Sequence, residues 1–110
     1  LELLRSTSVI NENYASLANI GHSADEMVDM VNGLIAELGE KKLCSQFIIS
    51  GGINGSLDGY YYTQKLKASS IYGQASGFLK HAEGPYETLQ EYINLQVEGL
   101  VLAKAYLTIK

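Results

Sequence analysis

Tryptophan is absent, proline and cysteine occur once each, and basic residues nowhere gather into a patch. Each shortage removes a class of protein. A single cysteine, Cys44, rules out an intramolecular disulfide framework and a multi-cysteine metal centre. It is read as a small residue just before a buried strand rather than as a reactive thiol. The net charge is −4 and Lys41-Lys42 is only a pair. That excludes a nucleic-acid surface, because phosphate neutralisation needs clustered Lys and Arg. No apolar run approaches the ~18 residues of a membrane span. The first residues also lack the basic and apolar regions of a secretory signal. The expectation is a cytoplasmic chain with no nucleic-acid and no membrane partner. His22 and His81 stand alone, without partners at metal-ligand spacing, and are read as surface or capping histidines. No metal site is expected from these residues.

What is present is concentrated in residues 47–58, Phe-Ile-Ile-Ser-Gly-Gly-Ile-Asn-Gly-Ser-Leu-Asp. Phe47, Ile48 and Ile49 form a short apolar run, too short for a helix and β-branched enough for a buried strand. Ser50, Gly51 and Gly52 break it, and Leu57 and Asp58 begin a segment with helical spacing. Strand, glycine pair and helix in that order present backbone N–H groups to an anion. Glycine lets the main chain approach a phosphate, and a helix N-terminus favours negative charge. The bland alternative is an ordinary tight turn. A second stretch repeats the plan: residues 70–80, Ser-Ile-Tyr-Gly-Gln-Ala-Ser-Gly-Phe-Leu-Lys, again run from short strand through small residues into a helix-like segment. Ser50 lacks a Gly-x-Ser-x-Gly context and is no nucleophile candidate.

At 110 residues the chain is one domain at most. Residues 1–22 form a loop region: 1–5 fit the tail of a helical turn, and 6–22 are polar and without a period. The opening in mid-pattern, without an initiator methionine, suggests a segment of something longer. Residues 23–45 hold a helix and its connection. Ser23 is the expected N-cap, with Glu26 at capping-box spacing. Met27, Met30, Val31, Leu34 and Leu38 trace one apolar face, with the methionines as core filler, and Gly39 is placed to stop the helix. Asp25, Glu26 and Asp29 read as a solvated face suited to the helix dipole. Residues 46–69 form one βα unit, its helix spanning 57–67. Tyr60, Tyr61 and Tyr62 exceed what one buried face needs, so at least one should meet solvent or a partner. Residues 70–110 form a second unit: a strand at 70–74, a helical turn at 78–82, and a long helix opened by Gly84-Pro85. Tyr86, Leu89, Ile93, Val97, Leu100 and Val101 mark its apolar stripe, which ends near Ile109. The βαβα order predicts parallel strands joined by right-handed crossovers.

Ser50-Gly51-Gly52-Ile53, Leu57-Asp58 and the run Gly73-Gln74-Ala75-Ser76-Gly77-Phe78-Leu79-Lys80 resemble the C-terminal part of type II isopentenyl-diphosphate isomerase. That family is an FMN-dependent (β/α)8 barrel whose members carry Ser-Gly-Gly-(Ile/Leu)-x-x-x-Leu-Asp, then Gly-x-Ala-x-x-Phe-Leu-Lys, then a long terminal helix. Leu1-Glu2-Leu3-Leu4-Arg5 resembles the family's Ile-Glu-x-x-Arg, so the likeness spans the whole chain. It implies that Gly51, Gly52, Ile53, Ala75 and Ser76 hold the FMN phosphate through main-chain N–H groups. It also implies a catalytic or orienting role for Glu2 near the flavin and the isoprenoid diphosphate substrate. In the family, reduced FMN and Mg2+ serve the interconversion of isopentenyl and dimethylallyl diphosphate, and NADPH reduces the flavin. The sequence departs from the family at Asn54, where many members have Arg. It departs again in the tyrosine-rich segment between Asp58 and Gly73, about two residues longer than the family's.

The resemblance therefore implies two strands and flanking helices from the C-terminal portion of a barrel, inactive alone because such a barrel takes ~250 residues. Open strand edges make it an expected homo-oligomer. Two other readings stand beside it. One is a fragment of an FMN-dependent 2-hydroxy-acid oxidoreductase, although Asn54 and Gly55 do not supply the His and Arg those enzymes carry near the first turn. The other is a small non-enzymatic α/β interaction module built on the tyrosine-rich helix and the long loop.

Overall fold

A computed structural model of the chain describes Ser16 and residues 19–110. Glu2 and most of the 1–22 loop region lie outside the described residues, so the expectations placed on them are not addressed by it. The described chain is α/β, with four helices and two parallel strands.

Helix α1, Ala24–Leu38, begins at a complete capping box. The Glu26 N–H donates to Ser23 Oγ at 3.2 Å and the Ser23 N–H donates to Glu26 Oε2 at 2.7 Å. This satisfies two of the N–H groups a helix start leaves without partners. Gly39 ends the helix with φ of 53° and opens a short 3-10 turn, Gly39–Lys41. Strand β1, Gln46–Ser50, leads to helix α2, Ser56–Lys65, and strand β2, Ser69–Gly73, lies parallel to β1. The register pairs Ile48 with Ile71 and Ser50 with Gly73. Helices α3, Ser76–Ala82, and α4, Tyr86–Tyr106, complete the chain. Pro85, with φ of −58°, sits directly before α4.

Side chains alternate across the strand pair, and the two faces differ. Gly59 of α2 lies so close to the Tyr72 ring that a Cβ there would stand 2.5 Å from it. Phe47 and Ile49 are half-buried on β1. The opposite face is bare: Ile48 is 73% exposed and its partner Ile71 is 64% exposed. Among the described residues the buried ones are few, namely Val28, Ile53, Ser56, Gly59, Leu66 and Ala103.

Two expectations about apolar faces are corrected. The stripe on α1 is not a covered core face, since Met27 is 47% exposed and Leu34 is 55% exposed while the buried position is Val28. The methionines therefore do not fill a core. On α4, Tyr86, Ile93, Val97 and Val101 are exposed. The packed side instead carries Leu89, Tyr92, Gln96, Gly99, Leu100 and Ala103. Gly99 lets Ser56 of α2 approach, since a Cβ there would meet Ser56 Oγ at 2.8 Å. Close approach and hydrogen bonding, rather than large apolar side chains, set the α2–α4 contact. The helix also ends at Tyr106, three residues before Ile109.

Candidate functional site

Both strands end at the same rim. Ser50 and Gly73 are paired in register, so the turns that follow start side by side. In a parallel pair the neighbouring chains are ~4.8 Å apart. Gly51 and Gly52 take φ of 89° and 74°, conformations that a residue with a Cβ adopts only at a cost. Both are exposed, and a Cβ built at either meets nothing within 4 Å. The glycines serve backbone conformation and leave the main chain open. Ile53 follows as a core anchor, 4% exposed. Its side chain pins the turn, so only its main chain is left for the role the sequence assigns it.

The rest of the first turn is held by hydrogen bonds to protein. The Asn54 N–H donates to Asp58 Oδ2 at 3.0 Å, and the Ser56 N–H donates to Gln96 Oε1 at 2.6 Å. Gly55, in extended backbone, is the N-cap of α2. Neither the Asn54 nor the Ser56 N–H is therefore directed at an external anion.

The second turn is tied to the first through Gln74. Its Nε2 donates to Asn54 O at 3.0 Å and also to the Tyr92 hydroxyl of α4. Ala75 is the N-cap of α3 and Ser76 its first residue, half-buried. Gly77 is required by close approach: a Cβ there would collide with the Tyr92 hydroxyl and stand 2.6 Å from Gln74 Nε2. Tyr92 is itself fixed, edge-on to Phe78 with ring centroids 5.3 Å apart and stacked on His81 at 4.0 Å. His81 Nδ1 lies 2.7 Å from Gly77 O. Its place is structural, in the last turn of α3. His22 is exposed, with Nδ1 4.0 Å from Glu26 Oε2.

The five residues assigned to phosphate binding thus fall on two adjacent turns at one end of the pair. Sequence reasoning missed Gln74, Tyr92 and Gln96 as the groups that set the spacing between those turns. Gln74 was visible inside Gly-Gln-Ala-Ser-Gly, but its partners lie 20 and 18 residues away. No protein-family model matches the chain, and no curated protein or solved structure matches it.

A second cluster joins α1 to α2 away from the rim. Lys65 Nζ lies 2.7 Å from Asp25 Oδ1 and 2.9 Å from Asp29 Oδ1. The Tyr61 hydroxyl donates to Asp25 Oδ1 at 3.2 Å. The hydrogen bond from Lys65 holds Asp25 below the usual carboxylate range, and the two carboxylates push Lys65 upward. Asp25 and Asp29 are therefore not merely a solvated face; they tie two helices. The tyrosine run is divided among tasks. The Tyr60 hydroxyl donates to Leu107 O at 3.2 Å, and Tyr62 packs edge-on to Tyr61 at 5.1 Å, where burial raises its pKa. All three tyrosines are half-buried. Cys44 is exposed, and its Sγ donates to Gln46 O at 3.3 Å. Among the described residues, no group of three or more His, Cys, Asp or Glu is placed to hold a metal ion, and no helix is long and apolar enough to cross a membrane.

Proposed function

We propose that this chain is the phosphate-binding portion of an FMN-dependent (β/α)8 barrel of the isopentenyl-diphosphate isomerase type, contributing two βα units. The observation that carries the reading is the pairing of the two turns. The positive-φ glycines after β1 and the Ala75-Ser76 turn after β2 emerge side by side from strands in parallel register. Parallel barrels frequently bind phosphate at the loops that follow their last two strands.

The donor set fits a phosphate held by main chain. Neither turn contains Lys or Arg, and the Gly51-Gly52 backbone is open to approach. In this reading the N–H groups of Gly52 and Ile53 meet the phosphate from one side, and those of Ala75 and Ser76 from the other. Gln74 keeps the two turns at fixed separation by its bond to Asn54 O. Asp58 shapes the first turn through Asn54 while its carboxylate stays engaged by that N–H. When bound, FMN supplies the reactive ring, and this chain's part is to hold its phosphate end. Isoprenoid diphosphate as substrate, Mg2+ and NADPH as further requirements, and a cytoplasmic homo-oligomer belong to the same proposal. The interaction-module reading rests on Tyr60, Tyr61 and Tyr62, each of which makes a contact within the chain while remaining half-buried.

The test is FMN retention by the polypeptide carrying this segment in its complete barrel. Ser76→Asp places a like charge against the phosphate and abolishes retention, read as flavin absorbance after desalting. Ser76→Ala keeps it, since the hydroxyl is at most an auxiliary donor. Stoichiometric FMN in Ser76→Asp overturns the proposal and returns the glycine pair to a tight strand-to-helix turn.

A further inference from the structure

Tyr92 belongs to α4, yet its hydroxyl ends where the two rim turns meet. It accepts from Gln74 Nε2, and the same nitrogen donates to Asn54 O of the first turn at 3.0 Å. On its other side the hydroxyl lies against Gly77, where a Cβ would collide with it. Ile53 and Ser76, which supply N–H groups in the phosphate reading, are the chain neighbours of Asn54 and Gly77. The phenol oxygen therefore stands between the two arms of that cradle. It is half-buried, and its ring is fixed edge-on to Phe78 and stacked on His81.

The direction of these hydrogen bonds follows from the partners. A backbone carbonyl oxygen only accepts, so the Gln74 atom facing Asn54 O is the amide nitrogen. That nitrogen has two hydrogens, one for Asn54 O and one for Tyr92. The hydroxyl is thus an acceptor towards Gln74, and its own proton remains to be donated. Among the described residues the hydroxyl has no other hydrogen-bond partner. Neither turn contains Lys or Arg, so a side-chain donor for an anion has to reach the rim from another element. An O–H aimed at an anionic oxygen makes a charge-assisted bond, roughly twice as strong as one between neutral groups. A donor already fixed by packing also costs little to order on binding.

We propose that Tyr92 is a ligand-binding residue of the rim, its hydroxyl donating to a phosphate oxygen held between the Gly51-Gly52 and Ala75-Ser76 turns. The inference rests on the phosphate reading of the rim and adds to it a side-chain donor from α4. Gly77 then has a second purpose, since the space its missing side chain leaves is the space this oxygen occupies. The alternative is a hydroxyl that only spaces the turns through Gln74 and never touches the ligand.

The test titrates the 110-residue chain with inorganic phosphate and follows two sets of NMR shifts. The amides of Gly52, Ile53, Ala75 and Ser76 report the cradle. The Tyr92 Cζ reports the hydrogen bonding of its own hydroxyl. Tyr92→Phe keeps the ring against Phe78 and His81 and removes only the oxygen. In the parent, the amides and the Tyr92 Cζ are expected to move with one midpoint. In Tyr92→Phe the amides still respond, but phosphate binds roughly tenfold more weakly or worse, as loss of a hydrogen bond to a charged group requires. Unchanged affinity in Tyr92→Phe overturns the proposal and leaves the phosphate reading standing. A Tyr92 Cζ that stays still while Tyr92→Phe weakens binding also overturns it, because the hydroxyl then acts only through Gln74. Amides of the parent that do not respond to phosphate overturn the reading of the rim and this proposal with it.

Discussion

The two ends of the strand pair are finished in different ways. Around β2, helices α2, α3 and α4 meet through close backbone approaches and aimed hydrogen bonds: Gly59 on Tyr72, Gly99 on Ser56, Gly77 under Tyr92, and Gln96 on the Ser56 N–H. Around β1, helix α1 is tied to α2 by Lys65 and Asn32 but leaves its apolar stripe and the strand edge open. Polar and glycine contacts are directional, so they complete one arrangement within the chain. Apolar surface left without cover specifies only that something must lie there. The rim proposed to hold phosphate joins the two: its second turn belongs to the closed side, while Ser50 and Gly51 at its first turn border the open cavity beside α1, and Gln74 links the turns.

Substitutions should respect this division, and the largest effect is expected on the closed side. Gly77→Val drives a branched side chain into Tyr92, which cannot yield without leaving Phe78 and His81, at a cost of ~2–3 kcal/mol. Urea unfolding at constant slope measures it. A cost below about half a kcal/mol would mean that α3 and α4 are not in close contact. Asn32→Ala comes next. Its Oδ1 accepts from the Lys67 N–H at 2.7 Å and its Nδ2 donates to Lys65 O at 3.0 Å. Removing both leaves the end of α2 without its partners and costs ~1–2 kcal/mol. Gln96→Ala, which strips the acceptor from the Ser56 N–H, costs about 1 kcal/mol. If the chain belongs to the proposed FMN-binding barrel, the same substitution weakens FMN retention there by loosening the first turn.

Both sides are only partly legible in the sequence. The capping box at Ser23 and Glu26, the strand at Phe47 and the glycine pair are local signals, and each appears within a residue or two of its expected place. β2 begins one residue earlier than expected, and α2 stops at Lys65 rather than Lys67. The sequence reading finds only Leu89 and Leu100 of the packed face of α4, because the rest of it includes Tyr92, Gln96 and Gly99, residues that a search for apolar periodicity passes over. The stripes on α1 and α4 are apolar as expected, but periodicity reports which face is apolar and not whether anything covers it. Gln74 lies within a recognised motif, yet its role depends on Asn54 and Tyr92, which no local pattern brings together.

The ion-paired tie between α1 and α2 should respond to pH at both extremes. Asp25 has its pKa lowered in the folded chain, so its contribution is present above its unfolded value of ~3.9 and fades as pH falls through the lower folded value. Lys65 has its pKa raised, so its contribution is present below ~10.4 and is lost only as pH rises through the higher folded value. Chemical shifts of the Asp25 carboxyl carbon across an acid titration measure the first. A midpoint at or above the ordinary carboxylate value would contradict the Lys65 contact. The smallest effect is expected on the open side, where Leu34→Ser changes stability by less than ~0.5 kcal/mol. A loss of about 2 kcal/mol there would show that α1 is covered after all.

The rim itself is best tested by asking whether the phosphate matters. In the complete barrel, FMN and riboflavin share the ring and differ in the phosphate that Gly51, Gly52, Ile53, Ala75 and Ser76 are proposed to hold. Titration of the apoprotein with each, followed by flavin fluorescence, compares the two affinities directly. The account predicts tight FMN binding and riboflavin weaker by at least about a hundredfold, corresponding to ~2.7 kcal/mol, with the difference largely erased by Ser76→Asp. Equal affinities for FMN and riboflavin would contradict it.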